Sequence, residues 1–406
     1  MKKAFIFIFI TVLIDVIGLG IIIPVLPELI MSMTKLDLSG ASAYSGWLMS
    51  SYSIMLFFCA PIMGGLSDQF GRRPIILITL LVFGLDYLIQ GFAPTIGWLF
   101  FGRIVAGITG ASFSVAGSFI ADLSEPEKKA QNFGLIGAAF GLGFIIGPLL
   151  GSLLGQFGTR VPFFGAAALA LINFIFGYFV LPESLNEDHR RAFSWKRANP
   201  FGTLKVLMKY SVLRDFVLIL FMVYLAHYSL QSTWSFYTMH KFQWDHKMVG
   251  YSLAFVGLTM AIVQGGLTRI LIPKLGPLRS IYFGFTAAII GYLGYAFAPQ
   301  GWYMFAFILP FSLSGLAGPS IQGLISNQVP ANAQGELQGG LTSLMSVTAI
   351  FGPLIMSGIF YRMSVQGQRF YFPGAPFLLA FFLILIALLL AIRPLNKMTA
   401  AKMKES

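Results

Sequence analysis

The sequence has little charge. Only 10% of its 406 residues are Asp, Glu, Lys or Arg, where a soluble domain averages about 25%. So few charges could not cover the surface of a soluble protein of this size. There is one cysteine, Cys59, and it lies in an apolar run. An internal disulfide and a cysteine-based metal site are therefore excluded. No Asn-x-Ser/Thr acceptor occurs. No nucleophile–base pair, metal-ligand cluster or nucleotide-binding loop is apparent, so an enzyme is not expected, nor a cofactor, nor a metal.

What is abundant is apolar. Hydrophobic residues make up 57% of the chain, and the mean hydropathy is +0.79. A spanning helix needs about 20 mostly apolar residues. Twelve segments qualify: 4–30, 44–66, 74–93, 97–121, 130–155, 161–181, 212–238, 248–272, 279–298, 301–325, 335–360 and 374–393. Their apolar content runs all round the helix, as lipid-facing spans require. The first run is too long for a cleaved leader and contains Asp15, Pro24 and Pro27, so it reads as a span.

The net charge of +12 would suit a nucleic-acid partner, but its distribution excludes one. With both termini on the cytoplasmic side, 20 of the 27 Lys and Arg lie on that side and 6 on the other, with Arg103 inside a span. This is the positive-inside bias of a multi-pass membrane protein.

Residues 182–211 form the longest polar stretch and divide six spans from six. The expected organisation is an N-terminal six-helix bundle over 1–181, a cytoplasmic linker over 182–211 and a C-terminal bundle over 212–406. Sliding the chain by 205 residues brings Gly71 onto Gly276, Phe92-Ala93-Pro94 onto Phe297-Ala298-Pro299, Gly110 onto Gly315, and Gly147-Pro148-Leu149 onto Gly352-Pro353-Leu354. Six spans per repeat give two halves of equal orientation, related by an axis along the membrane normal. In transporters built this way the substrate site lies near the midplane.

Asp15, Asp86 and Arg103 fall inside apolar spans. Each costs about 2.5–3.5 kcal/mol at a helix centre if left to lipid, so all three are expected to face the bundle interior. Burial penalises the charged form of a carboxylate, which is what a proton carrier needs. Arg103 keeps its charge and suits the role of holding a carboxylate ionised. The repeat mates of the three are Leu220, Gly291 and Ile308, so the ionisable chemistry belongs to one half.

Between spans 2 and 3 stands Gly64-Gly65-Leu66-Ser67-Asp68-Gln69-Phe70-Gly71-Arg72-Arg73. Gly71 permits a tight turn, Asp68 can pair near helix ends, and Arg72 and Arg73 complete a latch that Asp122 can join. Span 5 carries Gly134, Gly137, Gly141, Gly143, Gly147-Pro148 and Gly151, small residues at the spacing of a close-packing seam. The polar candidates of the second half are His227, Gln231 and Trp234 in span 7, Gln264 in span 8, and Gln322 and Asn327 in span 10. His227 and Gln231, four apart, share a helix face. Asn327 reads better as a helix cap.

These residues carry a family resemblance. The loop between spans 2 and 3 resembles the signature loop of the major facilitator superfamily at every defining position. Asp15 through Gly20, with Pro24 and Pro27, is similar to the first-span motif of twelve-span drug/proton antiporters. Gly143 through Gly147-Pro148 to Gly151 resembles their span-5 motif, with Ser152 replacing its last glycine. Gly102 to Ala111, Ala121-Asp122, Asp86-Tyr87, Trp234, Trp244-Asp245, Gln264 and Gln334 to Gly339 resemble the bacterial tetracycline/proton antiporters. The fold so implied is an all-α membrane protein, with twelve transmembrane helices in two six-helix pseudo-symmetric bundles.

The implied activity is proton-coupled export of a small amphipathic molecule from a bacterial inner membrane. The implied partners are a small-molecule substrate, protons and the lipid bilayer, with the chain acting as a monomer. Coupling would rest on Asp15, Asp86 and Arg103, and substrate contacts on His227, Gln231, Trp234, Gln264 and Gln322. Gly64, Asp68, Gly71, Arg72, Arg73 and Asp122 would form the cytoplasmic gate, and Gly143, Gly147, Pro148 and Gly151 the antiporter motif. Two positions depart from the tetracycline group: Met260 stands where it carries a span-8 histidine, and Ala288 where it carries a span-9 acid. Transport of an endogenous metabolite or siderophore is the alternative in the same fold. A non-transporting sensor is less favoured, because the loop and span-5 motifs are intact.

Overall fold

A computed structural model describes residues 2–110, 112–123, 129–195, 211–326, 334–365, 367 and 370–405. Asn327 and residues 196–210 of the polar linker lie outside these. The described residues form helices: α1 (Lys2–Ile22), α2 (Leu26–Thr34), α3 (Leu38–Phe70), α4 (Arg72–Phe92), α5 (Ile96–Thr109), α6 (Ser112–Leu123), α7 (Lys129–Gly155), α8 (Val161–Val180), α9 (Ser211–Phe242), α10 (His246–Ile262), α11 (Thr268–Phe297), α12 (Gly301–Leu313), α13 (Ala317–Ser326), α14 (Gln334–Ser364) and α15 (Ala375–Glu405). Among the described residues, nine helices are long and apolar enough to cross a membrane, or ten if the bent pair α1–α2 is one span. One of the nine, His246–Phe297, is 52 residues long. It is two spans joined through Gly276, where the backbone leaves the helical region at φ 76°. With α5 and α6 taken as one broken span, the arrangement is consistent with twelve.

Several helices outlast their apolar runs. The span expected from residue 44 begins at Leu38, where the Asp37 carboxylate accepts the Gly40 N–H at 2.9 Å and caps the helix. The first span is broken instead of continuous. It turns by 50° between Ile22 and Leu26, where Pro24 and Pro27 remove two backbone donors.

The chain divides into two compact units, Met1–Asn199 with Gln243–Gly257, and Pro200–Phe242 with Leu258–Ser406. In the first unit α1 packs along α7, and α4 along α8. In the second, their mates at the 205-residue offset, α9 with α14 and α11 with α15, pack likewise.

The backbone repeats in the same register. Gly71 and Gly276 have (φ, ψ) of (102°, 161°) and (76°, 160°). Ala93 and Ala298 have (−52°, 118°) and (−49°, 116°), and Thr95 and Gln300 have (−139°, 162°) and (−139°, 156°). α5 ends at Thr109, before Gly110, and at the mated stretch the second-unit helix tightens into a 3-10 turn, Ser314–Leu316, that contains Gly315; α6 and α13 begin at mated positions, Ser112 and Ala317.

The seam between α1 and α7 is backbone on backbone. A Cβ on Gly147 would stand 2.8 Å from Gly20 Cα and 2.9 Å from the Ile17 carbonyl oxygen, and one on Gly143 would stand 2.6 Å from Val16 Cβ. At Gly151 it would collide with the Ile21 carbonyl. Pro148 is seated on the same seam, its Cδ 2.9 Å from where a Gly20 Cβ would be. Ser152, in place of the motif's final glycine, is accommodated by a second glycine. Its hydroxyl turns back to the Leu149 carbonyl at 2.9 Å, and Gly250 leaves it room, since a Cβ there would sit 2.5 Å from Ser152 Cβ. Replacing Gly147 by Leu is expected to force α1 and α7 apart and cost about 1–3 kcal/mol. A lower thermal unfolding midpoint of the purified protein would show it, and an unchanged midpoint would mean that the seam is not closed as described.

Candidate functional site

The first unit buries a polar cluster between α1, α3, α4 and α5. Asp86 is 1% exposed and Asp15 is 7% exposed, so neither meets lipid. Asp86 and Gln90 are one helical turn apart on α4 and share a face. The Gln90 amide donates from Nε2 to Asp86 Oδ2 at 2.6 Å. Its other end, Oε1, accepts from Arg103 Nη2 at 2.9 Å. The guanidinium is itself 3.9 Å from Asp86 Oδ2. The carboxylate nearest Arg103 here is Asp86, and a neutral amide bridges the two. The second carboxylate oxygen, Asp86 Oδ1, is buried and has no hydrogen-bond partner among the described residues. Gly102 on α5 makes this packing possible. A Cβ there would collide with Asp86 Oδ1 and stand 2.9 Å from Gln90 Cγ.

Asp15 lines a narrow recess with Ile14, Leu19, Phe83, Tyr87 and Ala170. Tyr87 closes over Gly18, where a Cβ would be 2.9 Å from its hydroxyl. The charges of Asp15, Asp86 and Arg103 all bear on the hydroxyls of Tyr52 and Tyr87. One turn before Asp15, Thr11 donates to Asn173 Oδ1 at 3.5 Å. Gln90, Tyr52 and Asn173 carry no charge, and hydropathy alone did not single them out. Four-residue spacing from Asp86 is the signal that points to Gln90.

At the loop joining α3 to α4 the expected latch residues meet. Arg72, 8% exposed, reaches Asp68 at 2.5 Å and Asp122 at 3.2 Å, and donates to Ser67 Oγ at 2.6 Å. Arg73 turns elsewhere, to the Tyr178 carbonyl at 2.8 Å. Gly64 has no neighbour within 4 Å of where a Cβ would stand.

The sequence reading left out Glu183, in the linker after α8. Its carboxylate accepts the backbone N–H groups of Arg72 at 2.9 Å and Arg73 at 3.2 Å. It therefore occupies the N-terminus of α4, where a negative charge is favoured. Gly71, with its positive φ, is where the chain turns to present those N–H groups, and a Cβ on it would strike the Glu183 carboxylate. The linker continues along the same loop: Ser184 donates to Asp122 at 3.2 Å, Arg191 N–H to the Asp68 carbonyl at 3.0 Å, and Phe193 N–H to Gln69 Oε1 at 3.1 Å.

In the second unit, His227 and Gln231 are exposed on α9. Gln264 lies in a π-helical turn, Val263–Leu267, between α10 and α11, a type of distortion frequent at functional sites. A Cβ on Gly315 would stand 3.3 Å from Gln264 Cγ. Gln322 donates to Gln338 at 3.3 Å. Trp234 is placed differently from these. It is 2% exposed and packs edge-on against Tyr295 and Phe377, with ring centroids 5.2 and 6.4 Å away. Its surroundings are those of an aromatic core. Ala288 is also buried.

Residues 8–353 match the Major Facilitator Superfamily. The chain is 38% identical to tetracycline resistance protein class C of Escherichia coli, over 86% of this chain and 88% of that one. It is 29% identical to multidrug resistance protein 2 of Bacillus subtilis (strain 168), over 95% and 94%. Among solved structures, the nucleoside transporter NupG superposes with a TM-score of 0.76 at 14% identity, covering 98% of this chain and 99% of that one. The human organic anion transporter MFSD10 superposes with a TM-score of 0.72 at 23% identity, covering 96% and 99%. With a buried polar cluster, an ion-paired loop and a helical repeat, this multi-pass membrane protein is a secondary transporter of small molecules rather than an enzyme, and it belongs to the Major Facilitator Superfamily, grouped with the tetracycline resistance proteins.

Proposed function

We propose that this protein is a proton-coupled antiporter that exports a small amphipathic molecule across a bacterial inner membrane. The observation that carries this reading is the buried Asp86–Gln90–Arg103 network, with Asp15 buried in a recess that Tyr87 also lines. Ionisable groups are retained in apolar spans at a cost, and a carboxylate that can gain a proton there is a device for coupling. The similarity to tetracycline and multidrug resistance proteins supports export as the direction.

The termini and the α3–α4 loop lie in the cytoplasm on this reading, which the 20-to-6 distribution of Lys and Arg supports. Two six-helix bundles, residues 1–181 and 212–406 joined by 182–211, alternate access to a midplane site. His227, Gln231, Gln264 and Gln322 offer polar contacts to substrate. The chain acts as a monomer. Met260 and Ala288, where tetracycline exporters carry a histidine and an acid, favour a substrate other than tetracycline. An endogenous metabolite or siderophore is the second reading for that reason.

Purified protein in liposomes under an imposed pH gradient provides the test. Substrate-dependent proton flux is expected, and Asp15→Asn and Asp86→Asn should each abolish it while the protein remains folded. Normal flux with unaltered pH dependence in both variants would sink the assignment. Growth of an expressing strain on varied toxic compounds sorts the substrate class, because absence of resistance across chemical classes selects the dedicated metabolite. At the latch, Glu183→Gln removes the charge at the α4 N-terminus and is expected to cost about 1–2 kcal/mol, read as a lower thermal midpoint that Glu183→Asp partly restores.

A further inference from the structure

Asp86 and Arg103 do not hold each other directly. The gap of 3.9 Å between them is longer than either bond made by Gln90, at 2.6 and 2.9 Å. A carboxylate only accepts hydrogen bonds and a guanidinium only donates them. The amide between them is thus fixed in orientation, its NH2 toward Asp86 and its oxygen toward Arg103. Gln90 is 2% exposed, so water does not compete for it. Gly102 closes the remaining side, leaving no room for a Cβ beside Asp86 Oδ1 or Gln90 Cγ.

This arrangement suits one protonation state. A protonated Asp86 needs an acceptor for its new hydrogen. If it takes the Gln90 oxygen, Arg103 loses the acceptor it holds among the described residues, because turning the amide over sets NH2 against the guanidinium. If the proton sits on Oδ1, no hydrogen-bond partner is present there among the described residues, and Arg103 is left with a neutral neighbour, a costly condition for a buried charge.

We propose that Gln90 is a positioning residue for coupling: it ties Arg103 to the charge on Asp86, so that protonation of Asp86 releases the guanidinium. This inference rests on the proton-coupled reading above. The other titratable groups of this cluster are Asp15 on α1 and the uncharged hydroxyls of Tyr52 on α3 and Tyr87 on α4 itself, which feel the charges of Asp15, Asp86 and Arg103. Asp122 on α6 is engaged with Arg72 at the far loop.

Infrared difference spectra of the full-length protein, titrated across the neutral pH range, give a readout that needs no substrate. The carboxyl band lost in Asp86→Asn reports protonation of Asp86. Gln90→Leu fills the same volume and so keeps the guanidinium out, but it donates nothing. The proton concentration at half-protonation is expected to fall about tenfold in this variant, the worth of one hydrogen bond to a charged group. Thermal unfolding of the same samples establishes that the variant is folded. A Gln90→Leu midpoint within about threefold of wild type overturns the proposal, and so does the absence of any Asp86 band that responds to pH. If the midpoint moves but wild-type liposomes show no substrate-linked proton flux, the role of Gln90 stands and the antiport reading fails.

Discussion

A carboxylate placed among apolar helices must be stabilised by its neighbours, and the first unit is organised around that requirement at Asp86. Removal from water costs a charge several kcal/mol unless opposite charge and hydrogen bonds replace the lost solvation. Asp86 receives the hydrogen bond from Gln90 and the opposite charge from Arg103, 3.9 Å away, and that requires α4 and α5 to approach closely. Gly102 gives the approach, since any larger residue would displace the carboxylate or Gln90. Tyr87 follows Asp86 in sequence and closes over Gly18 on α1, bringing Asp15 into the same electrostatic neighbourhood. α4 and α5 are thus joined through one buried charge, and α4 meets α1 through the neighbouring Tyr87.

The internal repeat shows how far this chemistry is separable from the frame. Gly71 and Gly276 turn the chain alike, and α6 and α13 begin at mated positions, Ser112 and Ala317. The contents differ. The mate of Gln90 is Tyr295, and that of Asp86 is Gly291, which packs on Phe311. Tyr295, Trp234 and Phe377 form an edge-to-face cluster, worth about 0.5–1.5 kcal/mol per pair beyond area burial. One frame therefore holds a polar network in one unit and an aromatic core in the other. The backbone register is set by glycines and prolines and does not depend on either.

This separation also explains what could be read in advance. Spans, repeat and buried charges follow from hydropathy and from rare residues in register, so Asp15, Asp86, Arg103 and the latch arginine Arg72 were legible. Gln90 and Tyr52 were not. An uncharged polar side chain in a span has many satisfied positions open to it; the four-residue spacing puts this glutamine on the face of Asp86, but only the fold shows that it reaches Arg103 as well. Glu183 was hidden for the opposite reason. It sits in a polar linker where acids are common, and its partners are the backbone N–H groups of residues 111 and 110 positions earlier. Trp234 stood out by size and rarity, which mark an aromatic core as readily as a binding site. The 50° break in the first span was implied by Pro24 and Pro27, but its angle depends on the packing around it.

The two polar centres of the first unit differ in a way that bears on motion. At the α3–α4 loop, Arg72 engages two carboxylates and a hydroxyl, while Glu183 holds the helix end from the other side. Breaking one of these contacts leaves the others in place, so α3, α4, α6 and the segment after α8 stay joined. Asp86 and Arg103 have no such redundancy, since a single amide carries both sides of the pair. A proton gained there either turns the amide over or leaves Arg103 beside a neutral acid, whereas the same change at the loop is shared among several contacts. The network at Asp86 is accordingly held by fewer contacts than the α3–α4 loop among the described residues, and on the proton-coupled reading it is where one proton would change most.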